Sequence, residues 1–481
     1  MKKLLSLGLA MAALVPAYAY DFNVDGIFYS VKDETSVAVT YETEDLASYS
    51  GDIVIPSTVT YEAKTYDVTT IGEMAFAFSS LKSVTLPQTI TEYEGYAFAY
   101  TTCETPGDFM LPGLRKMGEF AFYQSDLING EITVPESVEE IGQGLFAYCN
   151  TTKVWLPNSL KTLPKAVFLF NGNLEEVHIP EGIDEIAANT FFECLKLKEI
   201  NMPEGVTVIG NGAFMDCGSL ENLPLPSGLT VIEPQAFQGC LAWKGELNIP
   251  ASVKSIGMGA FYFCNSLSGN LVLPQNLEEL GEYAFYEGSG FTGEIVSPDN
   301  VTELPEAVFY GCTGINNVVL HDGVKSIGIY ALNRCSGLTS FDCKNVETIG
   351  DYSFYSTGLE SLTLGAELKS IGTQAFDKCD FLASIKIVAV EPPMIEADTF
   401  SDYSAQLTVP EGCEEAYRNA PYWSNFHNYS EIESISGKEE IVSVYTLDGI
   451  HVFTGLSNEF QGERHGIYLV KTTDGIRKVA F

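Results

Sequence analysis

The sequence predicts a solenoid of about fourteen short coils carrying one parallel β-sheet, and two recurrent motifs predict it. Ile-Gly-x-x-Ala-Phe returns every 22 to 24 residues, opening at Ile71 to Phe76 and clearest at Ile209 to Phe214, Ile256 to Phe261 and Ile371 to Phe376. A fixed step of this length marks stacked structural repeats, each contacting only its neighbours. Upstream of it stands Leu-x-x-Val-x-Leu-Pro, as at Leu81 to Pro87 and Leu174 to Pro180. Its alternation of apolar and polar residues is a strand signal, and proline ends the strand.

Taken in chain order, the first element is a leader. Lys2 and Lys3 precede an apolar run from Leu4 to Ala17 and then Ala17-Tyr18-Ala19. This is the pattern of a cleaved secretory signal over residues 1–19, with Tyr20 as the first mature residue. The apolar run is too short for a membrane span, and no later stretch is long enough for one.

Within the repeats the phenylalanine slot falls at 76, 98, 122, 146, 168, 191, 214, 237, 261, 285, 309, 332, 354 and 376, and only Leu332 departs from Phe. So strict a slot performs the same core task in every coil. Each coil is expected to supply one short strand. An apolar residue three after the proline slot (Ile90, Val138, Leu160, Val253, Val324) should return to the core, and the glycine of Ile-Gly should permit a tight turn. Three residues after the Phe lies a small or hydrogen-bonding slot, holding Ser79, Thr101, Asn171 and eight of the eleven cysteines. Eleven is an odd number and eight of these cysteines share one structural position with parallel side chains, so buried free thiols are expected rather than disulfides.

The full pattern, Leu-x-x-Ile/Val-x-Leu-Pro-x-x-Val-x-x-Ile-Gly-x-x-Ala-Phe-x-x-Cys, resembles the BspA-like class of bacterial leucine-rich repeats. The resemblance implies a leucine-rich-repeat solenoid, of the α/β-type repeat class but mostly β and loop, over residues 67–390. It implies an N-terminal β cap over 20–66, where Asp25 to Tyr29 and Gly51 to Pro56 match. A closing cap over 391–430 follows from Glu391-Pro392-Pro393, Asp398-Thr399-Phe400, Leu407 to Pro410 and the Ala416 to Phe426 segment. Residues 431–481 form a small β-rich module in which Val444 to Gly449, Gly466 to Lys471 and Lys478-Val479 resemble the sorting domains of type IX secretion. Proteins of this class are exported or surface-exposed, and some bind host matrix proteins or other bacteria. The implied setting is the outer surface or the medium, and the implied partner is an extracellular protein, a host matrix protein or another bacterial surface.

Charge narrows the partners independently. The formal net charge is −38, which repels nucleic acid and anionic membranes and favours a basic partner if a charged one exists. The acids are spread through an apolar-rich chain with 12% aromatics, which argues for a packed core.

If the Val and Leu before each proline face inward, the residues two and four before it face outward. The slot two before places Trp155 and His178 on adjacent rungs, between Thr133 and Asn201. An indole on an exposed sheet face can anchor a protein or sugar, or a neighbouring loop can cover it. The slot four before is rich in acids, with Glu131, Glu176, Glu199, Glu246 and Glu294 interrupted by Lys153, Asn222 and Asn270. Like charges one rung apart repel, so this ladder is either a solvated edge or a face for a basic patch. A third stripe directly after the Phe slot holds Tyr123, Phe192, Tyr262, Tyr286, Tyr310 and Tyr355, with Tyr262, Tyr286 and Tyr310 on three consecutive coils, where they stack on one another or bind sugars or peptides.

Catalytic signatures are missing. The five histidines are scattered at 178, 321, 427, 451 and 465; there is no His-Glu-x-x-His, no Gly-x-Ser-x-Gly, no phosphate loop and no EF-hand run. No metal site and no cofactor is expected, and no enzymatic activity. Two functions remain. One is non-enzymatic recognition or adhesion through the sheet face; the other is glycan capture for polysaccharide binding or uptake.

Overall fold

The computed structural model describes residues 20–43, 46–432, 441–445, 451–456, 467–472 and 475–480. The expected leader, residues 1–19, lies outside them, as do parts of the C-terminal motifs, including Gly449 and Gly466. The chain divides into two compact units, Met1–Ser266 and Leu267–Phe481. Both are mostly β and loop, built from stacked parallel coils.

The Phe slot is the axis of the first unit. Phe76, Phe98, Phe122, Phe146, Phe168, Phe191, Phe214, Phe237 and Phe261 are all fully buried. Successive rings stack at 5.1 to 6.2 Å with nearly parallel planes. Trp243 meets Phe237 edge-on at 5.0 Å. In the second unit the slot runs through Phe285, Phe309, Leu332, Phe354 and Phe376 and continues to Phe400, 5.2 Å from Phe376. In the coil after Leu332, Phe341 enters from the strand side and meets Phe354 at 4.8 Å. The expected return residues Ile90, Val138, Leu160, Val253 and Val324 are buried as well.

Most coils carry two strands where one was expected. The Leu-x-x-Val segment forms the main parallel ladder, and a second ladder of two-residue strands ends on the Ile of Ile-Gly. In the first unit that second ladder includes Glu92–Tyr93, Lys116–Met117 and Glu140–Ile141, then Glu185–Ile186, Val208–Ile209, Val231–Ile232 and Ser255–Ile256. Two-residue strands show no alternation for a sequence pattern to detect.

The glycine after the Ile also does different work from the turn expected of it. Its φ is not left-handed; instead a Cβ at Gly142 would lie 2.2 Å from the Glu119 backbone nitrogen, and one at Gly257 2.4 Å from that of Pro234. Glycine is needed because consecutive coils approach too closely for a side chain.

The left-handed residues stand elsewhere, two before and two after each Phe slot, in all fourteen coils. Most are not glycine, as with Met74 and Phe78 around Phe76. Alternating handedness sends every second N–H to the next coil: Met74 N donates to Gly95 O, Phe76 N to Ala97 O and Phe78 N to Ala99 O, at 2.8 to 3.0 Å. The N–H groups between them close turns within the coil, Ala75 to Gly72 O and Ala77 to Met74 O. Backbone groups on the side away from the sheet are thereby satisfied, which offsets the cost of left-handed residues.

The cysteine slot is a hydrogen-bond position. Its eight thiols are reduced and buried or nearly so. Each lies near the Phe carbonyl of the coil before, at 3.0 to 3.3 Å.

The main ladder of the first unit is broken into separate sheets. Ser50–Val54, Ser80–Thr85 and Thr102–Thr105 form one. The next comprises β1 (Asn129–Thr133), β2 (Asn150–Trp155), β3 (Glu176–His178) and β4 (Glu199–Ile200), all parallel. After β4 the coil at 222–226 forms no strand, because Pro224 has no N–H to give the ladder. At the N-terminal end, Phe22–Val24, Ile27–Val31 and Ser36–Thr40 pair antiparallel and then join the second ladder through Lys64–Ile71. In the second unit, Ser384–Ile387, Gln406–Pro410 and Tyr429–Ile432 extend a main ladder past a short helix, α1 (Glu414–Asn419). The last strands, His451–Leu456, Ile441–Tyr445, Ile467–Thr472 and Gly475–Ala480, make an antiparallel sheet in that order.

Candidate functional site

The site grows from the register of β1 to β4. Thr133, Trp155 and His178 are direct partners across neighbouring strands, and so are Glu131, Lys153, Glu176 and Glu199. Between these two outward rows Ile132, Val154 and Val177 point into the core. The indole of Trp155 is half-buried and His178 is exposed. They border an open cavity of about 590 Å³ whose wall also includes Glu131, Glu136, Glu181 and Asn201.

Two of those neighbours are fixed by the fold. The Asn201 amide accepts from Ile179 N and donates to Ile179 O, both at 2.7 Å, so this side chain prolongs the short β4 as a backbone would. Glu136 accepts from Asn158 N at 3.1 Å and from Asn158 Nδ2 at 3.3 Å. Lys153 stands between two acids, 3.2 Å from Glu176 and 4.0 Å from Glu131. The hydrogen bond to Glu176, then the charges of Glu176 and Glu131, hold its ammonium above the ordinary lysine range. Glu131 and Glu176 thus share one positive charge, while Glu199 has no lysine on the rung beside it.

Of the residues singled out in the sequence, the structure brings together Glu131, Trp155, Glu176, His178 and Glu199. Glu246, on the strand Gly245–Glu246, is separated from Glu199 by the strandless coil that contains Asn222. Glu294 belongs to the second unit, where it accepts from Asn317 Nδ2 at 2.6 Å. Tyr262 falls in the first unit and contacts Phe263 at 4.6 Å. Tyr286 and Tyr310, in the second, stack at 4.4 Å with planes 9° apart, and the Arg334 guanidinium lies 5.6 Å from the Tyr310 ring.

A further row, which joins positions two after the Phe slot to the stripe directly after it, escaped the sequence reading. Phe78, Tyr100, Tyr148 and Phe170 all stand two after the Phe slot, and Tyr123 and Phe192 stand one after it. They form one chain of ring contacts over six coils. The signal was available by counting two residues on from each Phe. What hid it was the alternation between neighbouring slots, since the left-handed backbone brings both to the same surface.

Among the described residues no three His, Cys, Asp or Glu side chains converge to hold a metal, and no helix is long and apolar enough to cross a membrane.

The sequence model described as BspA type leucine rich repeat region matches residues 53–168, 115–244, 244–349 and 342–446. Among solved structures the chain is similar to a leucine-rich repeat protein from Bacteroides ovatus, at 26% identity over 86% of this chain and 100% of that one, with a TM-score of 0.56. It is also similar to a leucine rich cell surface protein from Faecalibacterium prausnitzii, at 20% identity over 76% of this chain and 94% of that one, with a TM-score of 0.44. No curated protein matches the sequence.

Proposed function

The chain belongs to the BspA-type leucine-rich-repeat family, and from that premise we propose that it is a non-enzymatic, exported recognition protein that binds an extracellular protein through the sheet formed by β1 to β4. The observation that carries this reading is the cavity bordered by Trp155 and His178, in register on adjacent strands. Repeat scaffolds of this kind present side chains from successive rungs on one continuous surface. An indole on such a surface is the residue type that most often dominates a binding interface. The acids beside it, in a chain of net charge −38, suit a partner with a basic patch, such as a host matrix protein or the surface of another bacterium.

The chain organisation that goes with this reading is a leader at 1–19, an N-terminal cap at 20–66, the repeat array at 67–390, a closing cap at 391–430 and a C-terminal module at 431–481 that directs secretion. Export is tested by sequencing the N-terminus of released protein, expected to begin at Tyr20, and by removing residues 431–481, expected to abolish release.

Binding is tested by surface plasmon resonance of the full chain over immobilised matrix glycoproteins. Trp155→Ala should weaken association at least tenfold with an unchanged melting temperature. Undiminished binding by that variant sinks the sheet-face reading. Affinity should also fall as salt rises, since exposed charges are screened beyond ~10 Å at 0.1 M.

A further inference from the structure

Trp155 is the one tryptophan outside the core. Trp243 and Trp423 are 2% and 1% exposed, whereas Trp155 is half-buried on the wall of its cavity. Among the described residues no lysine or arginine lies over its ring, and its Nε1 donates to no protein atom. The cavity also continues beyond β1. A second open cavity, of about 370 Å³, lies over the coil of Asp108 and Met110 and shares Glu131 and Thr133 with the first. Together they run past five consecutive coils, from Met110 through Thr133, Trp155 and His178 to Asn201. At ~4.8 Å per coil this groove is about 19 Å long, the length of roughly six residues of extended chain.

Charge along the groove has one sign. Its walls hold Asp108, Glu131, Glu136 and Glu181 and no lysine or arginine. Lys153 stands outside both walls, in the row of Glu131 and Glu176, so Glu131 is the wall carboxylate with a counter-charge beside it. Glu136 and Glu181 stand three residues after Thr133 and His178, which puts a carboxylate on the coil before the indole and another on the coil after it. Asn158, on the coil of the indole itself, orients Glu136 with two hydrogen bonds. Glu181 has no hydrogen-bond or ion-pair partner among the described residues.

We propose that this groove takes an extended segment of the partner protein and that the Trp155 cavity receives an arginine side chain from it. The proposal rests on the sheet-face reading above and names the group that the reading leaves open. A guanidinium is flat and weakly hydrated, so it can lie on an indole face while the N–H groups at its edge donate to carboxylates on either side. An ammonium is a compact, strongly hydrated charge with no flat face to offer the ring. The four wall carboxylates favour a segment that is basic along its length, and the indole selects arginine at one position of it.

Acrylamide quenching of tryptophan fluorescence tests this on the full chain, because Trp155 is the accessible one of the three. The probes are short Gly-Ser peptides carrying two arginines, two lysines or two citrullines, citrulline keeping the shape of arginine without its charge. The arginine peptide should protect Trp155 from quenching. The lysine peptide should need roughly five times the concentration for equal protection, and the citrulline peptide should give none. Glu136→Gln with Glu181→Gln should raise the arginine requirement by a similar factor. Asp184→Asn with Glu185→Gln removes the same charge outside the groove and should leave it unchanged. Protection by lysine or citrulline equal to that by arginine, the same loss from both variant pairs, or no protection by any peptide overturns the proposal. If the arginine peptide fails while Trp155→Ala still weakens binding to matrix glycoproteins, the arginine assignment falls and the sheet-face reading stands. If the peptide protects while matrix binding survives Trp155→Ala, the reading falls and the arginine site stands.

Discussion

The Cys217 thiol donates to the carbonyl oxygen of Phe191, one coil earlier, at 3.1 Å. The same contact can be made with oxygen, because Thr101 Oγ1 donates to Phe76 O at 2.7 Å from the equivalent slot. The position therefore selects a small donor and is indifferent to sulfur chemistry. Cys217→Ala removes the donor and some volume and should cost about 1–3 kcal/mol, while Cys217→Thr keeps the donor and should cost less. Urea denaturation followed by circular dichroism measures both, and equal losses would show that volume alone matters.

Burial gives these thiols a direction with pH. Desolvation pushes Cys149, Cys264 and Cys335 from 9.0 up to about 12. Below pH 9 both folded and unfolded chains hold these protons, and the contribution is complete. Between 9 and about 12 the unfolded chain releases protons that the folded chain keeps, so stability falls as pH rises, by up to about 1.4 kcal/mol per unit for each thiol. The urea midpoint should drop between pH 8.5 and 10.5. Iodoacetamide should label none of the eight slot thiols in the folded protein and all of them after unfolding.

Much of this was legible in the sequence because the repeat converts position into environment. Counting from each Phe identified the core rings and the thiol slot, and counting back from each proline slot identified the outward placement of Trp155 and His178. Contacts between coils were not legible, since they join residues 22 to 24 apart through backbone atoms. The second ladder, the left-handed residues beside each Phe and the partner of Asn201 all belong to this class. Pro224 lay in plain view, but its effect on the acidic ladder needed the observation that its coil supplies no strand.

The close approach of coils at Gly142 gives a sharp contrast between two glycines. A Cβ there would meet Glu119 N at 2.2 Å and Glu119 Cα at 2.5 Å, and backbone cannot move aside. At Gly205 the nearest atom, Ile183 O, is 3.5 Å away. Gly142→Ala should cost about 1–3 kcal/mol or more through overpacking, whereas Gly205→Ala should stay within about 0.5 kcal/mol of the parent. Thermal denaturation of the two variants side by side decides this, and similar melting temperatures would refute the steric account.

Lys153 is the one cation on the four-strand sheet of the candidate site, with Glu131 on the strand before it and Glu176 on the strand after. Both ion pairs are solvent-exposed, so their effect on stability is modest and screened by salt. Lys153→Glu would place four carboxylates, at 131, 153, 176 and 199, on consecutive rungs. Repulsion between directly opposed like charges should then lower the melting temperature at low ionic strength. Added salt should close the gap, because the destabilising interaction is between exposed charges. The same change makes the face more acidic, so a basic partner should associate faster at low salt and no faster at high salt. A melting deficit that persists unchanged at high salt would mean that the aliphatic stem of Lys153 contributes by packing, and that the acidic row has no electrostatic role of its own.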